Sequence, residues 1–401
     1  MPETTMSSTG EVEATRNAAR ALVADLDPNT TDRVVFLREQ FDRGLAWVHY
    51  PVGMGGRDAD PSLQVVVNQE LALLGAPDNA PHRNVIGLGM AAPTLLRVGT
   101  PEQQRRWLRP LWTGEDIWCQ LFSEPDAGSD LASLATRAVR DGGDWVVNGQ
   151  KVWTSLAHDA RWALLVARTD PDVPKHQGLT YFVCDMQAKG VDVRSLRQLT
   201  GESEFSEVFL EDVRIPDEYR VGDVGDGWRV TQTTLMNERM AIGGAADQRE
   251  SGQLAHLLDL WRTRPQVRHA GAHDRLLQLW VTAEAVRLTG VRLRQRLASG
   301  QPGPEASGLK LAQAELDQAA TSLELELLGG DGLLYDDWTD RRPDLDAART
   351  RLAGYRYLRA RANSIEGGTS EIMRNIIAER VLGMPAEPRA DVGIPWRDVP
   401  R

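Results

Sequence analysis

The hydrophobic pattern changes period twice along the chain, and that limits the folds open to it. From about residue 11 to 117, apolar residues recur at three- and four-residue spacing, as in LQVVVNQELALLG and APTLLRVG, which predicts helices. Thr100-Pro101-Glu102-Gln103 reads as a helix start, with an N-cap, a proline in the first turn and an acid after it. QQRRWLRPLWTGED predicts a short helix interrupted at Pro110. From about 118 to 225 the apolar runs become short and β-rich. Trp145 to Trp153 places two such runs around Asn148-Gly149, a strong hairpin signal, and WALLVARTD, GLTYFVCDM, VDVRSL and EVFLEDVRIP predict further strands. From Trp228 to about Leu382 long helical periodicity returns, in WRVTQTTLMNERMAIGGAAD, HDRLLQLWVTAEAVRLTGVRLRQRLA, GLKLAQAELDQAATSLELELLG and TSEIMRNIIAERVLG. An α–β–α order with one β insert predicts an α+β fold. Its two helical parts pack together and the β part sits against them, leaving a cleft suited to a cofactor. The expected boundaries are 1–117, 118–225 and 226–385, with 386–401 a loosely docked tail carrying three prolines and no period.

Composition removes several classes of function. A net charge of −11 argues against nucleic acid as the main partner. Two cysteines, Cys119 and Cys184, without a C-x-x-C pair, point to a reducing compartment and no structural zinc. The opening MPETTMSSTGEVEATRN lacks the basic start and apolar core of a signal peptide, and no run of about 18 uncharged apolar residues is present. The expectation is a cytoplasmic protein without a membrane or nucleic-acid partner. His269 and His273 are spaced i, i+4, but with no carboxylate in a metal motif beside them they read as solvated or structural.

Two segments carry chemistry. In WCQLFSEPDAGSD, residues 118–130, a strand is expected to end at Ser123 and a small-residue loop to follow Glu124-Pro125. Small residues leave backbone N–H groups open to a phosphate or a flavin edge, although a tight turn with an aspartate cap needs the same letters. In GQKVWTS, residues 149–155, Trp153 is followed by two hydroxyl residues that suit the rim of a flat ring; a core tryptophan is the plainer reading.

Taken in order, these segments resemble the acyl-CoA dehydrogenase family. Ser123-Glu124-Pro125-Asp126-Ala127-Gly128-Ser129-Asp130 matches its T/S-E-P-x-A-G-S-D loop, and Asn148-Gly149-Gln150-Lys151-Val152-Trp153-Thr154-Ser155 its N-G-x-K-x-W-I/T-T/S strand. Gly368-Thr369-Ser370-Glu371-Ile372-Met373-Arg374-Asn375-Ile376-Ile377-Ala378, closing at Leu382-Gly383, matches its last helix, and the likeness spans roughly 65–385. The resemblance implies an N-terminal helical domain, a β-barrel-like middle domain and a C-terminal four-helix bundle. It implies FAD as cofactor, an acyl-CoA thioester as substrate, an electron-transfer flavoprotein as electron acceptor, and a homotetramer or mixed tetramer. By the same match Gln120, Leu121, Phe122, Ser123, Gly128 and Ser129 line the flavin and its pyrophosphate, with Ser129 also facing the pantetheine arm. Trp153, Thr154 and Ser155 cover the other flavin face, and Thr369 and Glu371 reach the cofactor from the last helix. Glu326, Gly329 and Gly330 resemble a Q-x-x-G-G turn that meets a neighbouring subunit's FAD, with Glu326 in place of the usual glutamine. The Arg-x-x-Phe-Gly segment common in the family is missing from 261–269.

The base is the open question in RANSIEGGTSEI. Many relatives read Tyr-Glu-Gly-Thr there, and counting back from Thr369 puts Gly367 where the catalytic glutamate would be and Glu366 one residue out of register. A second subgroup, including isovaleryl- and long-chain-type dehydrogenases, carries a Glu-Arg base on the first helix after the β domain, which here is Glu238-Arg239 in LMNERM. Apolar neighbours such as Met236 and Met240 would raise that carboxyl's pKa toward neutrality. The resemblance then gives Glu238 the α-proton, assigns the thioester carbonyl to the backbone N–H at Gly367, and adds Met236, Arg239 and Gly368 to the substrate side. A flavin monooxygenase or oxidase on the same fold, or a subunit of a mixed complex, are the alternatives.

Overall fold

The computed structural model describes residues 8–243, 248–298, 306–335, 337–343 and 351–400, and the side chains at 238–243 and 297–298 fall outside that description. Five α-helices come first: α1 (Thr9–Asp25), α2 (Arg33–Asp42), α3 (Leu63–Leu73), α4 (Ala92–Val98) and α5 (Pro101–Thr113). The start of α5 is the expected one. The Thr100 hydroxyl accepts the Gln103 N–H, the Gln103 side chain accepts the Thr100 N–H, and Pro101 takes the first turn. The break expected at Pro110 does not occur. α5 runs through it to Thr113, burying Trp107, Leu108, Leu111 and Trp112, and a proline this close to the end disturbs little of the helix beyond it.

Seven strands follow: β1 (Trp118–Leu121), β2 (Arg137–Asp141), β3 (Asp144–Ser155), β4 (Trp162–Arg168), β5 (Leu179–Asp185), β6 (Val191–Leu196) and β7 (Phe205–Pro216). They form one curled sheet in the order β1-β4-β2-β3-β7-β6, with β5 also paired to β4. The expected turn at Asn148-Gly149 is not a turn. Both residues lie within β3, and the hairpin with β2 reverses at Asp141-Gly142-Gly143-Asp144. β3 passes so close to Thr136 that a Cβ on Gly149 would sit 2.7 Å from its Cα, and Asn148 bonds Asp212 across a register shift with β7. β1 stops at Leu121, two residues short of Ser123.

β4 is buried along its whole length and separates two cores. Trp162, Leu164 and Val166 join Leu95, Trp107 and Leu111 of the helical part, while Ala163, Leu165 and Ala167 join Trp145, Val147 and Val208 on the opposite face. The remaining helices are α6 (Gly227–Gly243), α7 (Gly252–Thr263), α8 (Ala270–Ala298), α9 (Ala306–Leu328), α10 (Ala353–Ala360) and α11 (Ser370–Ile376). α9 touches each of the other five. α6 ties the parts together: Thr234 Oγ1 lies 3.0 Å from both Thr94 Oγ1 on α4 and Tyr181 Oη on β5. The tail is not loose. Pro395 bridges Pro174, and the Trp396 N–H donates to the Val173 carbonyl at 2.9 Å. Among the described residues no helix is long and apolar enough to cross a membrane.

Candidate active site

The two segments singled out in the β part meet in space through Lys151, whose side chain is fully buried. Its ammonium donates to the Phe122 carbonyl (2.9 Å), the Val166 carbonyl (2.9 Å) and Glu124 Oε1 (2.8 Å). Glu124 also accepts the backbone N–H groups of Ala135 (2.6 Å) and Thr136 (2.9 Å). Burial alone would push the Glu124 carboxyl up; the Lys151 charge and these donors outweigh it and hold it below the usual range. The Val152 N–H donates to the Ser123 carbonyl at 2.9 Å, and Glu124 and Ala127 exchange two backbone bonds of 3.0 and 3.1 Å that close the turn. Both members of this ion pair stand within the matched motifs, but spacing alone does not show that they pair. Their sign and their places in two separate motifs were the available signal.

The strand beyond Lys151 bulges. Its register with β7 shifts between Lys151 and Thr154, and Trp153 takes a positive φ of 59°. An L-residue is strained there, and the result is an indole 56% exposed, edge-on to Phe205 at 5.9 Å. Beside it Thr154 Oγ1 is buried without a hydrogen-bond partner, as is Gln120 Oε1 on β1. Buried polar atoms of that kind call for a partner, and an exposed flat ring with an unpartnered hydroxyl next to it in the strand fits a polar-rimmed flat cofactor. Ser155 is half-buried beside Thr154. Leu121 and Phe122 have their side chains in the two cores, which leaves only their backbone for a cofactor. Gly128 borders open space and Ser129 is exposed.

The double glycine is the second candidate segment. Gly367 and Gly368 have φ of 63° and 94°, and a Cβ on Gly368 would lie 2.5 Å from Met373 Cε. Thr369 Oγ1 caps α11 by accepting the Ile372 N–H at 3.2 Å, and Glu371 is exposed in its first turn. Lys310 on α9 donates to the carbonyls of Gly368 (2.6 Å) and Asn363 (2.8 Å), and Asn363 Nδ2 donates to Asp317 at 3.0 Å. Burial pushes the Asp317 carboxyl up to about 6. Glu366 is held by Arg359 through two bonds of 2.9 and 3.1 Å. Arg359 Nε also lies 3.3 Å from Glu204, a carboxyl that burial pushes up and the guanidinium pulls down, with a net rise. Glu204 precedes Phe205, which packs on Trp153, so this ion chain links the segment beside Trp153 to the double-glycine turn.

α6 is helical through Glu238, one turn past Thr234; the side chains of Glu238 and Arg239 lie outside the described residues, and Met236 is half-buried. Glu326, Gly329 and Gly330 lie at the opposite end of α9 from Lys310 and its contact with the double-glycine turn. Glu326 pairs with Arg275 at 2.7 Å, and at 1.5 Å per residue it stands roughly 24 Å along α9 from Lys310. His269 accepts the Ala272 N–H and His273 stacks on Trp261. Among the described residues no group of His, Cys, Asp and Glu could hold a metal ion.

Three family models match consecutive stretches: the N-terminal domain of acyl-CoA dehydrogenases over residues 10–115, the middle domain over 119–213 and the C-terminal domain over 225–382. The acyl-CoA dehydrogenase FadE34 of Mycobacterium tuberculosis is 44% identical over 86% of this chain, which spans 45% of that longer protein. The acyl-CoA dehydrogenase IpdE1 of the same organism is 38% identical over 86% of both chains. Among solved structures, the ChsE4–ChsE5 complex from M. tuberculosis matches at 27% identity and a TM-score of 0.69, covering 95% of this chain and 100% of that one. A steroid ACAD matches at 24% identity and a TM-score of 0.71, covering 95% and 99%, a likeness of fold. With the helical, curled-sheet and helical parts in the order of those three models, the chain belongs to the FAD-dependent acyl-CoA dehydrogenase family.

Proposed function

We propose that the chain oxidises an acyl-CoA thioester between its α and β carbons, with Glu238 on α6 as the base that takes the α-proton. FAD, when bound, supplies the acceptor for the β-hydride. The observation that carries this reading is the exposed, strained Trp153 with the unpartnered hydroxyl of Thr154 next to it in β3. Trp153, Thr154, Ser155, Gln120, the backbone of 121–123 and the open Gly128-Ser129 edge hold the cofactor, and Thr369 and Glu371 meet it from α11. Met236, Arg239 and Ser129 serve the thioester, while the Gly367–Gly368 backbone presents N–H groups to its carbonyl and stabilises charge developing there. Glu238 is preferred to Glu366 because Arg359 already engages both oxygens of Glu366. Electrons leave to an electron-transfer flavoprotein.

A mixed assembly is the second reading. The ChsE4–ChsE5 match is to a complex of two chains, and α8 exposes Leu277, Val281 and Leu288 along one face. In such an assembly Glu326, Gly329 and Gly330 serve the neighbour's FAD.

The test is anaerobic reduction of the flavin by a panel of acyl-CoAs. Wild type should bleach with at least one thioester, Glu238→Gln should react at least about a hundredfold more slowly, and Glu366→Gln should stay within severalfold. Undiminished bleaching by Glu238→Gln would remove it as the base.

A further inference from the structure

The last residues lie against the segment that continues the small-residue loop. The buried ammonium of Lys175 sits 2.5 Å from Asp130, the last residue of that loop, and 2.5 Å from Asp391 in the tail. Trp396 Nε1 donates to the Ser133 carbonyl at 3.1 Å, and the Arg397 N–H donates to the Pro171 carbonyl at 3.2 Å. Arg168, also buried, stacks its guanidinium on the Trp396 ring at 4.3 Å while donating to the carbonyls of Ala132 (2.6 Å) and Leu134 (3.1 Å). Residues 130–134 are therefore gripped by two buried cations, and each cation is itself covered by the tail. On the loop's other side, Glu124 anchors Ala135 and Thr136.

The geometry points to the C-terminal tail as a positioning strap. Through Asp391 and Trp396 it seats Lys175 and Arg168 on residues 130–134, and so sets where the N–H groups of the adjoining 126–129 loop stand for the anionic part of the cofactor. What the loop binds rests on the flavin reading above; that the tail orders the loop does not. Asp391 and Trp396 touch no cofactor in this account and act through the loop alone.

Three proteins decide it: the full chain, a truncation ending at Pro388, and Trp396→Ala. Amide hydrogen exchange over 126–135 is followed without added cofactor, and FAD affinity is measured by flavin fluorescence. Both variants should exchange faster in that segment and bind FAD about tenfold or more weakly. A synthetic peptide of residues 386–401 added to the truncation should restore slow exchange and affinity together, a rescue that general destabilisation would not give. Unchanged exchange over 126–135, or unchanged FAD affinity in both variants, overturns the strap. If the full chain itself took up no FAD, the flavin reading would fall, and the exchange data would still decide whether the tail orders the loop.

Discussion

Lys151 uses all three of its ammonium donors inside the protein, on two carbonyls and one carboxylate, and none reaches water. A buried charge is tolerable only when fully paired, and here the pairing joins two loops that the active site needs side by side. Asp317 shows the opposite balance. It accepts bonds from Gln313 and Asn363 but among the described residues faces no cation at hydrogen-bond range, and burial pushes its carboxyl up to about 6. Its pKa rises on folding, so the folded chain keeps this proton at pH values where the unfolded chain has lost it. Stability is therefore greatest below the ordinary carboxylate range and falls as pH rises toward about 6, by up to about 3 kcal/mol. Asp317→Asn should melt higher than wild type at pH 7.5, with the gap closing near pH 4; equal melting temperatures at both would contradict this. At this scale the motif residues were legible because backbone and ring chemistry impose them. The Lys310 bonds to the double-glycine turn and the Arg359 grip on Glu366 were not, since nothing in one-dimensional spacing brings α9 or α10 to that turn.

Strands and helices were readable where pattern and packing agree. WALLVARTD through EVFLEDVRIP became β4 to β7, and Thr100-Pro101 opens α5 as expected. Asn148-Gly149 misled because a glycine demanded by close approach looks like a glycine demanded by a turn. The true reversal at Gly142-Gly143 stands between two aspartates without the apolar flanks that draw attention. Gly149→Ala tests this account. A methyl group there has no room beside Thr136, and the strain should cost about 1–3 kcal/mol in urea unfolding while Gly143→Ala, in open space, costs less. A Gly149→Ala protein as stable as wild type would mean that β3 can move away from Thr136. The tail misled for another reason: three prolines and no period describe a segment without its own structure, yet Trp396 and Asp391 dock by contacts that carry no periodicity.

The α+β order was legible across the whole molecule because period changes mark layers, but the ion chain between β7 and the double-glycine turn was not. Arg359 stands between Glu204 before β7 and Glu366 before the double glycine, joining walls that belong to different parts of the fold. Arg359→Met would leave two carboxylates facing one another, one of them already raised by burial. The variant should lose about 3 kcal/mol near pH 7.5 and less as the pH is lowered and Glu204 takes up a proton. A loss independent of pH would place the effect in packing rather than charge.

The fully buried β4 has a consequence for synthesis. One of the cores it divides contains Leu37 from α2, Trp107 from α5, Tyr181 from β5 and Val230 from α6. The opening helices close one core of their own around Leu22, Phe36 and Val67, but they cannot complete the second, around Trp107 of α5, while the rest of the chain is still inside the ribosome. They must wait, partly wet, until the beginning of α6 has emerged. A fragment stopped after α5 would expose Trp107, Leu108 and Leu111 and would be expected to aggregate, so the visible seams of this sequence are not places where it can be cut into independently folding pieces.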